Sequence, residues 1–319
     1  MVHVRHIAGL GVAFLVLAPW LGAPSARALT AEEAQGPIIA PNPAPTPEQI
    51  RSLTARLVEN QRRNDLAIEE YERLEHSISH KSENPEIIVD LTERRVPSPA
   101  GDIKLKTLEN GVPVSPDQYR QELEFAVNAL QTAAHPDDRY RDGVAKYQKR
   151  LHDRAELMDE AARAFRVTWA GRETRADSTG AHEPRTLMKF FLDPDPAFKP
   201  TNRLAVTFQH IHGTIWVDEA AAQFARLEAD IVTDITFVGG IAGKVNHGGH
   251  VEMEQSEVAP GVWLPTLFSF NIDGRKFLFA FGVHERSEIS QYRRVGAPAQ
   301  ALEIMRNELS TLSAASPAR

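Results

Sequence analysis

The chain has no cysteine anywhere in its 319 residues, which removes disulfides, thiolate nucleophiles and any cysteine that could carry a lipid anchor. It has no Gly-x-Ser-x-Gly stretch, so the strained serine turn of one large hydrolase class is missing as well. Apolar runs are scarce. The longest, Ile7 to Ala18, falls short of the ~20 residues that a membrane span requires. Nor is there a surplus of one charge sign. The net charge of −7 arises from interspersed acids and bases, which argues against nucleic acid and against electrostatic docking of the whole molecule on anionic lipid.

What is present begins with a basic start, Met1 to His6, then the apolar run, then Ala26-Arg27-Ala28. These are the three regions of a secretory signal peptide, and cleavage is expected after Ala28. About 290 residues remain, enough for one large domain or two small ones. A soluble protein of a bacterial periplasm, held together by its core, fits these bounds. Residues 29–45 are rich in Ala and Pro and read as a solvated linker.

Thr46-Pro47-Glu48-Gln49 has the form of a helix start, with a capping residue, proline at the first helical position and glutamine to complete a capping box. Ile50, Leu53 and Leu57 give that helix one apolar stripe, to be laid on a sheet. From Glu69 the period becomes alternating, with strands expected over Glu69–His80, Glu86–Arg95 and Ile103–Leu108 and a tight hairpin at Asn110-Gly111. Ser115-Pro116-Asp117 repeats the helix-start signal. A helical insertion over about 116–164 follows, broken near His135-Pro136. Two further strands and a proline-rich loop, Asp193 to Pro196, lead to a run of antiparallel strands from Gly213 to Tyr292. Within that run Ala225, Leu227, Ala229 and Ile231 are expected on one face, with turns at Pro260-Gly261 and Asp273-Gly274. Residues 297–319 form a last amphipathic segment and a tail, leaving 46–296 as the body of the domain.

Several patterns invite a chemical interpretation. His210-x-His212, followed by His247, His250 and Glu252, has the residue types of a zinc site. His210, His212 and His250 are the weak candidates, because water-facing histidines at strand ends are far commoner. Gly239 to Lys244 fails as a phosphate loop, since Val245 stands where Ser or Thr must bind magnesium. No catalytic constellation emerges, and neither an enzymatic activity nor a cofactor is expected. The strongest remaining signal is the aromatic content of the late strands. Trp216, Phe268, Phe270, Phe279 and Phe281 are the candidates to line an apolar cleft, able to hold an acyl chain at roughly 0.8 kcal/mol per buried methylene. An ordinary core beneath the helices accounts for the same residues, and both readings stay open.

The order of elements, with Gly213-Thr-Ile-Trp-Val-Asp218, Phe224-Ala-Arg-Leu-Glu228, Gly261-Val-Trp-Leu-Pro265 and Gln291-Tyr292, resembles the outer-membrane lipoprotein-sorting proteins of the LolA and LolB type. The similarity lies in an uncharacterised exported branch and is clearest over Gly213 to Tyr292. The resemblance implies an α+β fold, a curved antiparallel incomplete β-barrel covered by helices, here with an expanded helical insertion. It also implies a non-catalytic carrier of lipid or lipoprotein acyl chains that meets envelope membrane proteins. The chain is longer than the carriers and lacks the receptor's lipidated cysteine, so the cargo does not follow. An interaction protein that senses the state of the envelope is the second reading, and a metal-dependent hydrolase the third.

Overall fold

The computed structural model describes residues 43–81, 84–176, 183–237, 243–277 and 279–315. The expected signal peptide, its expected cleavage point and nearly all of the expected linker lie outside these residues, as does the 238–242 part of the glycine-rich stretch.

The first helix, α1 (Pro47–Ala67), starts at Thr46 through the complete capping box read from the sequence. It is followed by β1 (Tyr71–Lys81), β2 (Asn84–Val96), β3 (Ile103–Glu109) and the short β4 (Val112–Pro113). Asn110 and Gly111 both take positive φ in the β3–β4 turn, as a two-residue hairpin requires. Helix α2 (Pro116–Thr132) carries a second complete capping box at Ser115, and Asp137 caps α3 (Asp138–Ala164). These two helices occupy the region 116–164 read as helical, with the break near His135-Pro136. Next come β5 (Phe165–Arg175), β6 (Arg185–Pro194), a 3-10 turn (Ala205–His210), β7 (Ile211–Asp218) and β8 (Gln223–Ile231). The short β9 (Ile235–Phe237) and β10 (Gly243–Val245), then β11 (His250–Ala259), β12 (Val262–Lys276), β13 (Phe279–Arg294) and α4 (Pro298–Ala315) complete the chain.

The architecture is α+β. Thirteen strands form one antiparallel sheet in the order β4-β3-β2-β1-β13-β12-β11-β8-β7-β6-β5, with β9 and β10 attached beside β12. The ends of this path, β4 and β5, do not pair with each other, so the sheet is an incomplete barrel. Register shifts interrupt several ladders, among them β1–β13, β11–β12 and β7–β8, and such bulges bend and twist the strands that carry them.

Strand pairing also sorts side chains onto faces. Phe190, Ile215, Leu227, Met253, Phe268, Ser287 and Ser77 stand opposite one another across seven consecutive strands and therefore share a face. Leu53 of α1 packs on this face with Phe190 and Val217. Val96, Ile103 and Leu105 point the other way and form a separate core with Leu123, Leu130 and Met305 of α2 and α4. The sheet is thus covered on opposite faces at its two ends. Its centre is filled by Val251, Met253, Phe268, Phe270, Ile272 and Ile289.

Two expectations about the late strands are corrected. Asp273-Gly274 is no hairpin turn: β12 continues to Lys276, and β13 begins at Phe279. Gly274 is needed for a different reason, because a Cβ there would lie 2.4 Å from the Lys244 carbonyl oxygen of β10 and 2.7 Å from the Phe281 ring. The β7–β8 register shift moves Phe224 opposite Val217 and turns Ala225 to the outer face, so the alternation expected from Ala225 breaks there. Gly274→Ala is expected to lower stability by about 1–3 kcal/mol, measured by denaturant unfolding with an unchanged slope.

Candidate functional site: an apolar cavity under two helices

Between β5–β8 and the pair α1–α3 lies a cavity of about 190 Å³. Its floor is the face of the sheet that carries Val167, Leu192, Ile215 and Leu227. Its roof comes from the apolar stripe of α1, Ile50, Leu53 and Leu57, and from Met158 and Ala161 of α3. Phe165 and Phe208 close one side in an edge-on pair with centroids 5.6 Å apart. An apolar cavity of ~150 Å³ is known to stay dry and to admit a benzene-sized guest, so this one has room for a segment of alkyl chain.

Two polar side chains reach the wall. Thr54 donates its hydroxyl to the Ile50 carbonyl within α1, at 2.9 Å, and is satisfied. Gln61 is 5% exposed, and its amide nitrogen donates to Asp65 Oδ1 at 2.9 Å. Its carbonyl oxygen is buried and has no partner among the described residues. The roof helices are joined to each other by charge: Arg154 reaches Asp65 at 2.7 Å and Arg62 pairs with Asp159. Partly exposed ion pairs of this kind contribute little net stability. The roof is held over the cavity without a large apolar seam of its own.

Farther along the same face, β1, β2 and β13 replace apolar side chains with a buried ionic floor. Glu75 binds Arg95 at 2.7 Å, Arg95 also meets Glu93 at 3.0 Å, and Arg73 pairs with Asp102. Ser77 and Ser287 are hydrogen-bonded to each other at 2.8 Å. Glu285 has a buried carboxyl oxygen without a partner among the described residues. Burial, and then the nearby Glu75 charge, push its pKa up to about 9.

None of the five aromatic candidates lines the cavity. Trp216 lies on the outer face, 3% exposed, where its indole N–H donates to Glu173 at 3.0 Å and Arg175 and Lys189 stack on the ring. Arg226 adds a third cation there and is itself held by Glu228, Glu252 and Glu254. Phe268 and Phe270 share the cavity's face of the sheet but are packed in the solid central core, with Phe281 partly buried against it. Phe279 is 78% exposed. In the sequence β5 alternates at Phe165, Val167 and Trp169 and α3 carries a helical apolar stripe, and nothing in one sequence shows that these elements meet the first helix.

The histidines also separate. His210 bonds Thr233 at 2.8 Å, His212 pairs with Asp193 at 2.8 Å, and His250 with Asp230 at 2.7 Å. His247 takes Asp234 and Glu252 takes Arg226. Among the described residues no three metal-ligating side chains come together, so the zinc pattern does not assemble.

No family model and no curated protein matches the sequence. A crystal structure of a domain described as an outer membrane lipoprotein-sorting protein, from Vibrio parahaemolyticus, is similar at a TM-score of 0.30 and 9% identity. The match covers 80% of this chain and 99% of that one, and at such similarity it carries no argument about function. No described helix is long and apolar enough to cross a membrane.

The Glu285 carboxyl has a pH signature. Its folded pKa of about 9 lies above the ordinary 4.5, so the folded protein retains a proton that the unfolded chain has released. Stability from this group is fully present below pH ~4.5 and declines as pH rises toward 9. Glu285→Gln is expected to match the parent protein near pH 4 and to exceed it increasingly up to pH 9, followed by thermal unfolding across that range.

Proposed function

We propose that this protein is a non-catalytic, exported binding protein that shelters one apolar chain, of the kind found in lipids and lipoproteins, between β5–β8 and the α1–α3 roof. The observation that carries this reading is the 190 Å³ cavity itself, walled almost wholly by apolar side chains and roofed by two helices that are joined through ion pairs. A solid core would fill that space, because interiors pack closely and a void forfeits contacts on every wall. Each methylene that enters the cavity recovers roughly 0.8 kcal/mol. The roof can part at modest cost, since the charges of Asp65, Arg154, Arg62 and Asp159 remain partly exposed and gain water on separation. No bond-making chemistry is needed for this role, and the cation-stacked Trp216 on the outer face takes no part in it.

A fluorescent fatty-acid probe tests the proposal. Ala161→Phe, which fills the cavity from α3, is expected to weaken binding at least about tenfold with the circular dichroism unchanged, whereas Phe279→Asp leaves it unaltered. Equal binding by the Ala161 variant defeats the reading, as does failure of the parent protein to bind the probe or retain any lipid in mass spectrometry.

A further inference from the structure

A second recess, of about 40 Å³, lies where β5 and β11 end and β6, β8 and β12 begin. Gln255 of β11 lines it and is 2% exposed, yet neither its amide nitrogen nor its carbonyl oxygen has a partner among the described residues. Strand pairing fixes which way this side chain points. Gln255 stands opposite Pro265, and Glu257 opposite Trp263, two residues along each strand, so all four share a face. On that face Arg185 of β6 stacks on the Trp263 ring at 5.0 Å and bonds Glu257 at 3.2 Å, closing one wall of the recess. Burying an amide with both of its polar groups unmatched is costly, so the use of Gln255 has to be sought outside the chain.

The walls decide the charge of what can enter. Arg175, Arg185 and Arg226 line the recess together with Glu183, Glu254 and Glu257. Each arginine is also engaged by acids of the neighbouring strands: Arg175 by Glu173, Arg185 by Asp218, and Arg226 by Glu228 and Glu252. With these counted the surroundings lean acidic, which disfavours an anion. The volume has room for roughly three water-sized probes, so a guest inserts only a few heavy atoms. Gln255 offers an N–H donor beside a C=O acceptor, and a group that answers both must carry its own acceptor and N–H on one side. A primary carboxamide does so through two antiparallel hydrogen bonds. A carboxylate has no donor, an ammonium no acceptor, and a trans peptide bond points its N–H and C=O in opposite directions. We propose that the Gln255 recess binds a primary carboxamide, carried either by a small molecule or by an asparagine or glutamine side chain of a partner protein. The recess shares no lining residue with the cavity beneath α1 and α3, and the proposal does not depend on that cavity holding a guest.

Titration of the nitrogen-15-labelled full chain with acetamide, followed by nuclear magnetic resonance at the Gln255 side-chain amide and the Trp263 indole N–H, tests it. The Gln255 signals are assigned by their absence from Gln255→Glu. Acetamide is expected to shift both sets saturably and to bind at least about tenfold more tightly than acetate or N-methylacetamide. N-acetylglutamine methylamide separates the two sources: binding tighter than acetamide assigns the carboxamide to a partner protein, and weaker binding assigns it to a small molecule, the site standing in either case. Gln255→Leu is the discriminating variant, since it removes an unmatched buried amide: its unfolding midpoint stays the same or rises while the acetamide shift at Trp263 is lost. Ala161→Phe, which blocks the cavity, binds acetamide like the parent protein. The proposal is overturned if acetamide leaves the Gln255 signals unmoved, which means that water alone meets the amide. It is equally overturned if the three small probes bind alike, or if Gln255→Leu binds acetamide as well as the parent protein does.

Discussion

The pairing of β1 with β13 holds the molecule together. It joins the first strand of the sheet to the last over Tyr71 to His80 and His284 to Arg294, and without it β1–β4 would have no link through the sheet to β5–β12. Its centre is a buried serine pair, Ser77 with Ser287. Its end is secured by ion pairs from Arg293 to Glu72 and Arg294 to Glu70. Glu72 is shared with Arg94, which in turn meets Tyr119 of α2 and Glu308 of α4. One carboxylate thus ties the strand junction to the helices of the outer face. Buried ionic groups of this kind add little net stability, but a shift by one residue would strand them, so they favour a single register.

The two halves of the sheet use this junction differently. On the β5–β8 side the face is apolar and its helices stand off enough to leave a cavity. On the β1–β3 side the same face carries Arg73, Glu75, Arg95 and Glu285, and the apolar packing moves to the opposite face beneath α2 and α4. A chain without cysteine cannot staple the halves together covalently. Continuous backbone hydrogen bonding across the junction, with a core on each face, takes that role.

Local signals in the sequence translated well into structure. The capping boxes at Thr46 and Ser115, the Asn110-Gly111 turn, the apolar stripe of α1 and the helices between 116 and 164 are encoded over a few residues and appear where the sequence places them. The site was illegible because it depends on non-local facts. Trp216 follows the alternation correctly, yet only strand order shows that its face is the outer one, where cations rather than helices cover the ring. The alternation of Phe277, Phe279 and Phe281 reads as a strand interior, and the break between β12 and β13 falls inside it because Phe277 adopts a conformation that residue type argues against. Gly274, read as a turn glycine, is required by the approach of a neighbouring backbone, which no local pattern records.

The place of β13 in the chain has a temporal consequence. As the polypeptide leaves the ribosome, β1 and its first partner β2 emerge together, but β13, the partner of the other edge of β1, follows only after more than two hundred residues. Until then that edge of β1 is unpaired and the sheet remains in two pieces, so the native topology waits for β13. Loop closure over more than two hundred residues makes that final step slow.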